Sequence, residues 1–126
     1  MAKNKPFQSV ECKVNDNLSI IVKNARKVYG HDDSLPYNAE VYLRQGEVTT
    51  QIATAWTDGW GGETNIDALP DKGDVVKALK EQMNTYTYKF GSYTFHASLP
   101  MVVELLACAA IFNEYDYTTI EGLLEC

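Results

Sequence analysis

The chain has 126 residues, 45% of them hydrophobic and 22% charged, enough to bury one core without disulfides or metals and too apolar for disorder along its body. The formal charge of −6 is unevenly placed: residues 1–29 hold six bases against two acids (+4), and residues 30–126 hold five against fifteen (−10). With no basic patch beyond the first strands, direct nucleic-acid binding is not expected, whereas an acidic surface suits a basic protein partner, imitation of a phosphate backbone, or solubility alone.

The opening "MAKNKPFQ" has no apolar run behind it, so no secretory signal is expected. The longest apolar stretch, 99–112, contains Pro100 and Glu104 and falls short of the roughly 20 residues a membrane helix needs, so no membrane span is expected either. Cys12, Cys108 and Cys126 are an odd set without a C-x-x-C pair. They point to a reducing compartment, and the expected location is the cytoplasm.

Along the chain, "SVECKV" alternates Val10, Cys12 and Val14 with polar partners, the period of a half-buried strand. Asn15-Asp16-Asn17 supplies turn chemistry, and "LSIIVKNARKVY" has a β-branched centre at Ile20, Ile21 and Val22. "GHDDSLPYN" is a polar loop. "AEVYLRQ" puts Ala39, Val41 and Leu43 on one face; a turn at Gln45-Gly46 leads to "EVTTQIATAW", where Val48, Thr50, Ile52, Thr54 and Trp56 share a face. These two runs form a hairpin, and the first half is an antiparallel meander.

The period then changes. Val75, Val76, Leu79 and Met83 fall at helical spacing, with Asp74 as N-cap. "TYTYKFGSYTFHA" returns to alternation around Gly91-Ser92, the place for a second hairpin. Ser98 caps a buried helix over 99–112, with Pro100 tolerated in its first turn. Thr118 and Glu121 have capping-box spacing for a short terminal helix packing Ile120, Leu123 and Leu124. The class is α+β: an antiparallel sheet, meander plus second hairpin, packed against two or three helices in one domain over residues 1–126.

Between the two halves lies "WTDGWGGETNID". A phosphate cradle needs converging N–H groups and usually a nearby base, but residues 58–74 carry five acids against Lys72 alone and match neither glycine fingerprint. Calcium would find oxygens on Asp58, Glu63, Asn65 and Asp67, yet the spacing is not that of an EF-hand loop. No metal and no cofactor is therefore expected. A recognition loop is the remaining sharp reading, since loops on rigid sheets carry function and tryptophan is enriched where interfaces concentrate energy. Trp56 ends a strand face and is expected in the core. Trp60, between Gly59 and Gly61, has no periodic partner: it either closes over the sheet or faces a ligand.

The stretch 18–65, with "LPYNAEVYL", a turn, a second strand and "TDGWGG", resembles a functionally uncharacterised group of small bacterial and phage-borne proteins that place an Asn/Asp-Gly-x-Gly-Gly loop after a β-hairpin. Thr57-Asp58 stands where that group suggests Asn-Asp. The resemblance implies a phage or mobile-element context and no particular activity.

Other chemistry is thin. "GHDDS" gathers His31, Asp32, Asp33 and Ser34, but neighbours in sequence rarely aim at one point, and a solvated turn explains them. A two-histidine metal site with His96 has little support beyond the residue types. Cys108 and Cys12 read as buried, inert thiols and Cys126 as an exposed one. The aromatic run at Tyr86, Tyr88 and Tyr93 lacks the positive charge of a base-stacking platform and is more simply explained by packing; with Tyr115, Tyr117 and the nearby acids it offers an alternative acidic-aromatic binding face. The expectation is a non-enzymatic interaction protein that meets a basic protein surface through Asp58, Trp60, Glu63 and Asp67. The alternative is a ligand- or metal-binding protein or enzyme centred on residues 58–67.

Overall fold

Alternating burial builds the first strands. In the computed structural model, which describes residues 9–27, 37–57, 64–90 and 92–111, β1 (Ser9–Asn15) buries Val10, Cys12 and Val14 between exposed Ser9 and Lys13. The Asn15 side chain accepts the Asn17 N–H at 2.8 Å, an Asx turn that reverses the chain into β2 (Leu18–Lys27). From there the sheet is a meander: β3 (Tyr37–Gln45), β4 (Val48–Thr57) and β5 (Asn65–Ala68) follow in spatial order β1-β2-β3-β4-β5, every neighbour antiparallel. The expected hairpin turn at Gln45-Gly46 falls one residue later, between Gln45 and Val48. Gly46 takes the left-handed conformation there, φ 61°, which glycine adopts without steric cost. Its N–H donates to the Asn17 carbonyl at 3.0 Å, tying the two hairpin tips together.

Two irregularities decide which side chains face the core. Between Lys23↔Glu40 and Arg26↔Asn38, β2 has one residue more than β3. Asn24 absorbs it at φ 56°, a conformation in which asparagine is enriched. Ala25 thereby stays on the buried side and Asn24 is exposed. Between Val41↔Ala53 and Tyr42↔Gln51, Ile52 is the extra residue of β4. Both Ile52 and Ala53 are buried, and the alternation resumes in the opposite phase: Ala55 and Thr57 point in.

Two helices cover one face. In α1 (Gly73–Met83), Val76, Leu79 and Met83 are buried. Two expectations fail here: Val75 is exposed, and the residue before the helix is Lys72, with no side-chain cap. Asp74 lies inside the first turn, where its charge still meets the positive end of the helix dipole. In α2 (Leu99–Ile111), Ser98 caps as expected, its Oγ accepting the Met101 N–H at 3.3 Å. α2 lies across β1, β2 and β3, while α1 touches α2 and β4. Leu99, Val102, Val103, Leu106 and Ala110 join Ile20, Val22, Val41 and Tyr37 in one core cluster.

Between the helices, β6 (Thr87–Phe90) and β7 (Tyr93–His96) form the expected hairpin as a separate two-stranded sheet. It is tied to the larger sheet by the Tyr86 hydroxyl, which donates to the Val14 carbonyl at 3.4 Å. Tyr93 is 68% exposed, so packing does not account for the whole aromatic run. The expected terminal helix and the "GHDDS" loop lie outside the described residues. No helix among the described residues is long and apolar enough to cross a membrane. The class is α+β, a five-stranded antiparallel sheet with two described helices.

Candidate site on the open face of the sheet

The second bulge puts a tryptophan on the outside. Had β4 kept strict alternation, Trp56 would share the buried side with Ile52. Because Ile52 is an extra residue, Trp56 turns to the face opposite the helices and is 40% exposed. The expectation of a core residue is overturned by this change of phase. The signal was present in the doublet Ile52-Ala53, two adjacent apolar residues followed by small Ala55, which marks where alternation restarts.

β5 supplies the second member. Residues 65–68 are not loop, as expected from their polarity, but an edge strand in which Trp56↔Asn65 and Thr54↔Asp67 are cross-strand pairs. Asp67, exposed, accepts the Trp56 indole N–H on Oδ2 at 2.8 Å. The Asn65 amide donates to the Trp56 carbonyl at 3.5 Å. Of the four predicted partner-binding residues, the structure thus places Asp67 on a strand, diagonal to Trp56. Asp58, Trp60 and Glu63 lie outside the described residues, in the connection whose flanking residues Thr57 and Thr64 are both buried.

The rest of this face is polar and internally bonded. Glu40 accepts from the Tyr42 hydroxyl at 2.9 Å and from the Asn24 amide at 3.1 Å on the same oxygen. That bond and partial burial raise the Tyr42 pKa above its ordinary value. Lys23 Nζ stands 4.4 Å from the Tyr42 ring centroid, within cation–π range. Arg44 pairs with Glu11. Beneath these groups Ile21, flanked by Glu11 and Tyr42 in register, is buried although it lies outside the core cluster.

On the opposite face, a buried polar chain reaches the base of the 58–63 connection. The fully buried Tyr37 hydroxyl is 2.6 Å from Thr64 Oγ1, and Thr64 donates to Glu104 Oε1 of α2 at 3.5 Å. Since the Thr64 proton goes to the carboxylate, Tyr37 donates to the Thr64 oxygen. Burial is the leading cause that raises the Tyr37 pKa, and the Glu104 charge raises it further. Cys108, one helical turn beyond Glu104, is pushed up to about 11 by burial and then by Glu104. Such a thiol stays protonated at neutral pH and is a poor nucleophile or metal ligand. Cys12 is fully buried and pushed up to about 12 for the same leading reason.

Among the described residues, no group of three or more His, Cys, Asp or Glu side chains is placed to hold a metal ion. His96 is exposed, and its Nδ1 lies 2.9 Å from the Asn84 carbonyl; a carbonyl only accepts, so Nδ1 carries a proton. Its partner in the two-histidine idea, His31, lies outside the described residues. Compared with known proteins, the chain matches no family model, no curated protein and no solved structure.

Proposed function

We propose that this protein works by binding, meeting a basic protein surface with residues 56–67 and the adjoining edge of the open sheet face. The observation that carries the reading is the exposed Trp56 indole held by the exposed Asp67 carboxylate at 2.8 Å. Tryptophan is a common energetic centre of interfaces, and an indole fixed by a hydrogen bond loses less freedom on binding. The −10 balance after residue 29 supplies a field of matching sign, which speeds encounter with a cationic partner. Asp58, Trp60 and Glu63, which the sequence also assigns to this contact, lie outside the described residues. The resemblance over 18–65 favours a phage or mobile-element accessory factor acting in the cytoplasm as a single domain.

The test is affinity capture from a bacterial lysate with wild-type chain, Trp60→Ala and Asp67→Asn. Capture of a basic protein that is released by moderate salt and reduced in both variants, at unchanged melting temperature, is the expected result. Capture indifferent to Trp60→Ala removes the connection from the binding surface.

A second reading, a small-ligand binder or enzyme centred on residues 58–67, draws on the Tyr37–Thr64–Glu104 chain at that segment's base. Thermal melting with chelator, divalent metals and nucleotides separates the two. A ligand at a hundred times its Kd stabilises the native state by about 2.7 kcal/mol, so a flat panel counts against this reading.

A further inference from the structure

We infer that Trp56 and Asp67 form a reading site for an arginine side chain, the guanidinium stacking on the indole face and pairing with the carboxylate beside it. The inference rests on the reading of a basic protein partner and names the chemistry of contact.

The same sheet face already holds this arrangement once, filled by the chain itself. Tyr42 has its hydroxyl fixed by a carboxylate, Glu40, and a cation, Lys23, stands over its ring. Trp56 repeats the first half of the pattern on the far strands, its N–H fixed by Asp67. Register links the two: Lys23, Glu40, Thr54 and Asp67 lie in one cross-strand row from β2 to β5. The cation–ring contact of this face is that of Lys23 with Tyr42, and Trp56 is 40% exposed.

Charge decides what fits. β4 contains no charged residue and β5 contains only Asp67, so the complement of this corner is a cation. Asp67 accepts the indole N–H on Oδ2 and has Oδ1 and further lone pairs to accept from a second donor. Arginine suits the geometry better than lysine. Its planar, weakly hydrated guanidinium lies flat on an indole while its edge N–H groups reach an adjacent carboxylate; an ammonium is a hydrated point charge. Opposing this, Arg26 faces Asn38, which in turn faces Trp56. The two backbones stand two strands, roughly 10 Å, apart, where salt at about 0.1 M weakens the repulsion without abolishing it. Lys23, farther along the row, is engaged with Tyr42.

The experiment uses the full chain carrying Trp60→Phe, which leaves Trp56 as its only tryptophan. Its fluorescence is titrated with an arginine–glycine peptide and with lysine–glycine and glutamate–glycine peptides of equal length. The expected result is a saturable change with the arginine peptide, at least about threefold weaker binding of the lysine peptide, and no response to glutamate. Asp67→Asn should weaken arginine binding about tenfold while leaving the melting temperature within a degree or two, since one exposed bond is worth little to stability. No saturable response, equal affinity for lysine and arginine, or indifference to Asp67→Asn overturns the inference. If Trp60→Phe does not fold, the Trp56 indole N–H resonance of ¹⁵N-labelled wild type reports the same titration, and its failure to shift is equally decisive. Failure here is distinguishable from failure of the broader reading. A captured, salt-released partner indifferent to Trp56→Ala leaves partner binding standing and removes the arginine site.

Discussion

The buried chain Tyr37–Thr64–Glu104 offers a quantitative check on the placement of the segment that precedes β5. Tyr37→Phe keeps the ring and removes the hydroxyl that stands 2.6 Å from Thr64. The lost bond is worth about 1 kcal/mol net, and the Thr64 hydroxyl keeps Glu104 as acceptor, so little further penalty arises. Thr64→Val is nearly isosteric but leaves the fully buried Tyr37 hydroxyl without its partner, a cost of about 1–3 kcal/mol. In the double variant neither hydroxyl remains, and no buried donor is orphaned between them. Glu104 is only half-buried and can be hydrated.

The expected pattern is therefore roughly 1 kcal/mol for Tyr37→Phe, roughly 2 for Thr64→Val and roughly 2 for the pair, a coupling of about 1 kcal/mol. Urea denaturation at constant m-value measures all three. Strict additivity, within about 0.3 kcal/mol, would refute the bond and with it the docking of Thr64 against β3 and α2.

Two other predictions follow from burial. Trp56→Ala should cost about 1–2 kcal/mol and Ile52→Ala about 2–5, by chemical denaturation, because the bulge leaves the first 40% exposed and buries the second; a Trp56→Ala cost above about 4 kcal/mol, the upper range for a core tryptophan, would place the indole on the buried side. Stability should also fall at alkaline pH. Cys12 is raised from 9.0 to about 12 and Cys108 to about 11, so above pH 9 the unfolded thiols lose protons that the folded state keeps. Their contribution is full below pH 9 and declines as pH rises towards the folded values, by up to about 1.4 kcal/mol per pH unit for each group. Under reducing conditions the slope between pH 9 and 10.5 should be shallower in Cys12→Ala; an unchanged slope rules out this origin.

Local patterns were legible where one face of an element meets the core without interruption. Val10, Cys12 and Val14 announce β1, Ala39, Val41 and Leu43 announce β3, and Ser98 announces the start of α2. Each depends on neighbours within four residues. What was not legible depends on partners far along the chain. The strand at 65–68 has a polar sequence, and it forms because β4 offers it an edge. Tyr37 meets Thr64 across 27 residues, and Thr64 meets Glu104 across 40. No periodicity carries such information.

The candidate site shows how one residue joins these two kinds of failure. Period-2 reasoning is only as good as its phase, and a single extra residue inverts every side chain beyond it. Ile52 does this to Trp56, moving an indole of large apolar area from the buried side to the open side. A chain selected only for stability gains little by such a move, since the core loses a tryptophan and the surface acquires one. Asp67 then holds the exposed ring, which costs an acid its freedom at the edge of the sheet. Bulges that re-aim a side chain are characteristic of functional positions. Here the re-aimed residue and the carboxylate that steadies it lie on the two strands that bracket the acidic, glycine-rich connection. The physical case for binding at this corner thus comes from the fold as well as from the composition of residues 58–63, and Trp56 carries it independently of Trp60.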